Sequence, residues 1–435
     1  MRVFIFSILL LFGLTNLELN QLSSDSSQMQ NMTVYDVDDP HKLFVPGRFI
    51  TKGPKLHWFG YYDKLQFDPT GRYVLAMQTN FENRSPEPPD LIKIGMIDLK
   101  KKDLWIELGS SRAWNWQQGC MLQFIPGSNS EVIWNDFIND RFVCHIKDIY
   151  SGKMRTLPFP VYTLSPDGKT ALSVDFERIN YLRPGYGYPG ITDHNRHLLA
   201  PDNAGIYLCD LETGKKKLII SLTEIQKKEI DGNDPGFRER DFQMNWFNHL
   251  LFNTDGSRFV FLHRWKSKSK NTVGGFGTLM YTTKPDGSDI RIVDGSGYTS
   301  HFIWKTPEQL LIWTNHPSFG FGFYLFTDDG KQDPVIIGKD IMTRNGHCTY
   351  LPDQNWILND TYPDEKRMQE VYLYHIKNER KIPLGNFYLP SEYEGEWRID
   401  THPRSSPDGT KVVIDTQDNI YGRQMYLMDI SEIIK

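Results

Sequence analysis

The sequence predicts an all-β fold, a seven-bladed β-propeller in a single domain. Three observations carry that prediction. A turn token rich in Pro, Asp and Gly recurs seven times, a short apolar strand follows each copy, and most copies stand about 40–55 residues apart. The tokens are FDPTG (67–71), FIPGS (124–128), LSPDG (164–168), FNTDG (252–256), WKTPE (304–308), YLPDQ (350–354) and SSPDG (405–409). The strands behind them read RYVLAM, EVIWND, TALSVD, RFVFLH, QLLIWT, NWILND and KVVIDT. Pro, Asp and Gly set the tight turn, and β-branched and aromatic residues favour the strand.

Taken along the chain, the elements follow from that frame. Residues 1–22 open with Arg2 and an apolar run from Phe4 to Leu14, the pattern of an export signal rather than a spanning helix. The expected location is therefore secreted or periplasmic, with no membrane segment in the mature form. Residues 23–32, rich in Ser and Gln, read as a solvated linker. Residues 33–435 then form the propeller. Further alternating strands follow the tokens, as in LIKIGMIDL, AGIYLCDLETGKKKLII and GTLMYTTKPDGSDIRIV, so each unit has three or four strands. A pair of β-sandwiches would not space its turns so evenly. The chain stops soon after RQMYLMDI, one strand short of a full last blade, and residues 33–50 are placed to supply the missing one. The long interval from Pro166 to Thr254 marks an insertion between blades three and four. It holds RINYLRPGYGYPG (178–190) and a charged segment (222–241) whose first half reads as a helix.

Composition narrows the function classes. The chain of 435 residues carries a formal net charge of -5, with 24% charged and 39% hydrophobic residues. There is no basic face or tail to suggest a nucleic-acid partner. Aromatic residues reach 13%, which suits core packing and, second, stacking on sugars. Four scattered cysteines (Cys120, Cys144, Cys209, Cys348) are too few for a disulfide framework, although one pair could bridge. Asn31, Asn83 and Asn359 begin N-x-S/T triplets. No G-x-S-x-G serine-hydrolase motif is present.

The sharpest site signal is a register. The fifth residue before each token's Pro or Thr anchor is Lys64, Met121, Val161, His249, His301, His347 and His402. Four successive blades place histidine at one structural position. Innermost strands line a propeller's channel, so these imidazoles converge on the axis, where neutral rings suit Zn, Mn, Ni or Fe, with Zn or Mn favoured. The competing reading has some of them hydrogen-bonding to backbone in a wet channel. Cys348 points away from His347 by strand alternation, and Asp400, two residues before His402, is placed as an outer carboxylate behind the metal.

THPRSSPDG (401–409) and NGHCTYLPD (345–353) resemble the oligogalacturonate lyases, a family of seven-bladed propellers with a histidine-held metal in the channel. HWFGYYDKLQFDPTGRY (57–73), WQQGCMLQF (116–124) and RPGYGYPG (183–190) are similar to the propeller ulvan lyases. The resemblance implies β-elimination on a uronic-acid-containing polysaccharide or oligosaccharide, with a divalent metal as cofactor. Such chemistry needs a cation against the carboxylate, a base and an acid. Arg183, Tyr186, Tyr188 and His263 are the expected catalytic groups, and His57, Tyr62, Gln118 and Arg264 the expected substrate contacts. One departure stands out. The ulvan lyases place a catalytic histidine near the segment that here reads WNWQQG, and Gln117 and Gln118 cannot relay a proton. A non-catalytic propeller that binds glycan or protein around a structural metal is the alternative.

Overall fold

The structure is a computed structural model, and it describes residues 41–227, 243–266 and 275–435. The expected export signal (1–22) and linker (23–32) lie outside the described residues. Seven antiparallel sheets follow one another along the chain. Their inner strands are Leu56–Trp58, Gln123–Phe124, Thr163–Leu164, Asn245–Phe252, Phe302–Trp304, Thr349–Tyr350 and Arg404–Ser405. Each token is the turn from the inner to the second strand, and the seven apolar runs fall on second strands such as Tyr73–Thr79 and Lys411–Asp418. The fold is thus the predicted seven-bladed propeller.

The token's chemistry is visible in SSPDG. Ser406 Oγ donates to Asp408 Oδ1 at 2.5 Å and accepts from the Lys411 amide at 3.0 Å. Gly409 takes φ 71°, and its amide bonds the Ser406 carbonyl at 2.9 Å. LSPDG repeats the pattern, with Ser165 Oγ on Asp167 at 2.5 Å and Gly168 at φ 69°. A side chain larger than hydrogen is disfavoured at that φ, which is why these two tokens end in glycine.

Apolar faces of neighbouring sheets bury one another. Val413, Met425 and Leu427 of the last blade share one cluster with Trp58, Val74, Ala76 and Ile94 of the first. Each such fully buried side chain contributes about 1.5–3 kcal/mol. The ring is also closed by backbone pairing. Gly47–Phe49 is the outermost strand of blade seven, with Gly47 opposite Met428 and Phe49 opposite Tyr426. Lys42–Leu43 adds a fifth strand to blade six.

Two expectations change. The first half of the insertion lies inside blade three, between its second strand (Thr170–Ser173) and third strand (Gly205–Asp210), rather than after the blade. It starts as a helix, Phe176–Leu182, and runs on through the RPGYGYPG loop. The second half begins with the helix Leu222–Lys227, and residues 228–242 lie outside the described residues. Asn359 is fully buried and donates from Nδ2 to Tyr372 Oη at 2.8 Å, so it offers no glycan attachment point. All four cysteines are buried and unbridged. No helix among the described residues is long and apolar enough to cross a membrane.

Candidate active site

The seven register positions do converge in burial: Lys64, Met121, Val161 and the four histidines are all buried. His249 and His402 hold left-handed backbone, φ 53° and 40°, which costs a non-glycine residue about 1–3 kcal/mol. Met121 shares that conformation at φ 55°. The strain therefore belongs to this register position in three of the blades, not to histidine chemistry.

The rings sort into two sets. His301, His347 and His402 form a row, with centroids 4.2 Å apart at each step. His249 is set off from the row by Tyr61, whose ring lies 5.2 Å from His249 and 5.1 Å from His402. Three donor atoms lie within 4.8 Å of one another, and they come from His347, Asp400 and His402. Asp400 thus stands among the possible ligands and not behind them. The carboxylate behind the row is Asp360. It accepts from the His347 amide at 2.6 Å and lies 2.9 Å from His347 Nδ1. It also accepts from Thr401 Oγ1 at 2.5 Å and from the His402 amide at 3.2 Å. Burial works against its charge, yet His347 and these donors hold its carboxyl down at about 2. An anion on His347 Nδ1 turns the Nε2 lone pair toward the donor group.

The group has the properties a divalent cation requires. Burial, then neighbouring charge, pushes His301 and His402 well below the ordinary imidazole range, so both are neutral and each keeps one ring nitrogen as a lone-pair donor. His402 Nε2 is buried without a hydrogen-bond partner. Asp400 Oδ2 lies 2.8 Å from Arg398 Nη2 as an ion pair, although the angle makes no hydrogen bond there. His301 leans outward, with Nδ1 2.9 Å from Asn345 Oδ1 and Nε2 3.4 Å from Tyr362 Oη.

Beside this row opens a cavity of about 380 Å³. The inserted loop supplies Arg183 and Tyr186, and blade four supplies His249, Arg264, Phe276 and Thr278. The loops into blades five, six and seven supply residues 297–301, Asn345 and Arg398, with Tyr61 and Tyr362 completing the wall. The electrostatics are cationic. Arg183 and Arg264 have buried Nε atoms without a partner, and neither forms an ion pair among the described residues. Both guanidiniums lie over the Phe276 ring, at 5.2 and 4.7 Å. Burial, then the charge of Arg183, pulls Arg264 down to about 10, which still leaves it charged at neutral pH. Arg398 donates from Nη2 to Tyr186 Oη at 3.1 Å. Burial alone would push the Tyr186 phenol up, but Arg398 and Arg183 outweigh it and bring it below the ordinary tyrosine range.

The remaining expected residues are elsewhere. Tyr188 is fully buried, stacked 4.3 Å from Phe176, and its hydroxyl accepts from Asn135 Nδ2 at 2.9 Å; it anchors the inserted loop and reaches no cavity wall. His263 is buried inside blade four with Nε2 2.8 Å from Asn245 Oδ1. His57 is buried between Gln424 at 3.0 Å and Gln78 at 2.8 Å. Tyr62 lies beneath the histidine row, its hydroxyl donating to the Phe302 carbonyl at 2.9 Å and accepting from the Phe302 amide at 3.1 Å. Gln118 is bonded to Tyr162 Oη at 3.0 Å, and that oxygen in turn accepts from the His249 amide at 2.9 Å. It positions His249 at one remove and does not line the cavity. Sequence reasoning missed Arg398, Asp360 and Tyr362. Only Arg398 carried a signal, because it stands two residues before Asp400 and four before His402 in the segment that leads into the inner strand of blade seven.

No family model matches the chain, and no curated protein matches it. Among solved structures it is similar to an oligogalacturonate lyase from Vibrio parahaemolyticus, with TM-score 0.61 and 12% identity over 91% of this chain and 98% of that one. It is equally similar to an oligogalacturonate lyase in complex with manganese, with TM-score 0.60 and 12% identity over 91% of this chain and 99% of that one. A prolyl endopeptidase structure also matches, with TM-score 0.50 and 13% identity over 88% of this chain and 49% of that one. At these identities the likeness is one of fold, and the propeller serves unrelated chemistries. The resemblance to the ulvan lyases rests on its short sequence segments alone.

Proposed function

We propose that this protein is a metal-dependent lyase that cleaves an acidic, uronate-containing oligosaccharide or polysaccharide by β-elimination. The observation that carries the reading is the pair of unpartnered guanidiniums, Arg183 and Arg264, in a cavity whose wall includes His301 and Arg398, the direct neighbours of His347 and Asp400 in the donor group. Guanidiniums with buried, unpartnered Nε atoms and no carboxylate call for an anionic ligand. The fold likeness to an oligogalacturonate lyase in complex with manganese supports the choice of chemistry. Export, read from Phe4 to Leu14, belongs to the same proposal.

His347, Asp400 and His402 would hold the divalent ion, with His301 next in the row. When bound, the ion draws electron density from the substrate carboxylate and so eases loss of the neighbouring C5 proton. Arg183 and Arg264 bind and orient the sugar carboxylates. Tyr186, whose phenolate Arg398 and Arg183 favour, takes the C5 proton in its ionised form. The C5–H electron pair becomes the C4–C5 double bond, and the C4–O bond breaks with its pair on the departing oxygen. Tyr61, on the same wall, supplies the proton that oxygen takes up.

The test is the appearance of unsaturated uronate absorbance across a panel of pectic, ulvan and related oligosaccharides with Mn²⁺ or Zn²⁺ present. Tyr186→Phe is expected to lower turnover by about 10²–10⁴-fold. Binding without any unsaturated product would leave a glycan-binding propeller and overturn the lyase reading.

A further inference from the structure

We propose that the blade-five hairpin carries an aromatic platform that binds a sugar ring of the oligosaccharide beyond the units held in the cavity. The proposal rests on the reading of the ligand as an acidic oligosaccharide. The hairpin consists of the strands Gln309–His316 and Gly320–Thr327. Its tip exposes two phenylalanines, Phe319 at 60% and Phe321 at 52%. Large apolar rings grouped on a surface mark a binding site more often than single ones do.

The platform is continuous with the cavity. Tyr298 lines the cavity, and its ring meets Phe321 edge-on at 5.5 Å. Phe321 lies flat against Trp313 at 6.4 Å, and Phe319 stacks on His316 at 5.2 Å with 23° between planes. The tip is also pre-set. Tyr324 Oη donates to the Gly320 carbonyl at 2.8 Å, and the Ser318 amide donates to His316 Nδ1 at 3.2 Å. Rings already fixed in place lose little freedom on binding. A cavity of about 380 Å³ is near the lower end for small-molecule sites. A longer glycan has to leave it over the rim. Tyr298 marks one exit, and flat aromatic faces there suit the apolar C–H face of a pyranose.

The experiment, in a Tyr186→Phe background that holds turnover down, compares the wild-type hairpin with the F319A/F321A double variant. Each is titrated with galacturonate dimer and hexamer by calorimetry, with Mn²⁺ present. The protein with the wild-type hairpin is expected to bind the hexamer at least about tenfold more tightly than the dimer. The double variant is expected to bind the dimer as the wild-type hairpin does, which also certifies its fold, and to lose the preference for the hexamer. A preference that survives in the variant, or is missing with the wild-type hairpin, overturns the platform, and so does failure to bind either oligomer. A concentration-dependent dimer of the protein, dispersed by F319A/F321A in sedimentation velocity, would assign the rings to a second copy of this chain and also overturn it. Failure of the lyase reading alone looks different: length-dependent binding persists, but the protein with Tyr186 in place forms no unsaturated product.

Discussion

Asp175 provides a test of how the inserted loop is held. It precedes the helix Phe176–Leu182, which leads to Arg183 and Tyr186. Its carboxylate accepts from the Gly205 amide at 2.7 Å and faces Tyr207 Oη at 3.1 Å. The same Tyr207 hydroxyl lies 3.0 Å from the Asn203 carbonyl. One phenolic proton cannot serve two acceptors, so a protonated Asp175 that donates to Tyr207 resolves the geometry. Burial first, and Glu177 second, raise the group from 3.8 to about 7. Folding therefore takes up a proton between about pH 4 and pH 7, and stability falls as pH rises through that window. At about 1.4 kcal/mol per pH unit the loss above pH 7 is about 4 kcal/mol, and partial solvent exposure trims it to about 2–4 kcal/mol. Asp175→Asn keeps the acceptor for Gly205 and supplies an N–H to Tyr207 without a charge. Urea unfolding should find the variant about 2–4 kcal/mol more stable than wild type at pH 8 and equal to it near pH 4. An equal difference at both pH values, or a less stable variant at pH 8, would refute the assignment.

Further outcomes follow from the site. His347→Ala should abolish stoichiometric metal in elemental analysis, whereas His249→Ala should retain it, since Tyr61 separates His249 from the donor group. Arg264→Met should raise KM about 10–100-fold with a smaller change in kcat, the worth of a charged hydrogen bond to a carboxylate. Tyr188→Phe loses the Asn135 bond and should cost about 1 kcal/mol in unfolding while leaving turnover unchanged. Tyr186 sits below the ordinary tyrosine range, so turnover should rise with pH as the phenol ionises and level off below pH 10. A profile still rising past that point would remove Tyr186 as the base.

The fold was legible because its signal repeats. Seven tokens, six of which close with an amide on the carbonyl three residues back, as Gly168 on Ser165 and Gly409 on Ser406, give the blade count without any side-chain packing. The convergence of His301, His347 and His402 was legible for the same reason, since equivalent blade positions face one axis. What the register could not carry was the space between rings. Tyr61 enters from blade one, outside the four-blade series, and separates His249 from the rest. Asp360 and Tyr362 come from the second strand of blade six and the turn beyond it, where no other blade repeats them. RPGYGYPG shows a further limit. Its two tyrosines look alike in sequence, but Tyr186 faces Arg398 and the cavity while Tyr188 packs on Phe176, because the loop folds back on its own helix.

The strand Gly47–Phe49 joins the earliest described part of the propeller to the last blade. The entropy of closing so long a loop grows only with the logarithm of its length, so the pairing is thermodynamically mild. Its cost is in time. Until Gly47–Phe49 finds Tyr426–Met428, the outer edge of blade seven is an unpaired strand, open to the same segment of another molecule. Two chains that traded this strand would keep its pairing with blade seven and give up only the contacts of the hinge, so concentration during refolding would set the balance between ring closure and exchange.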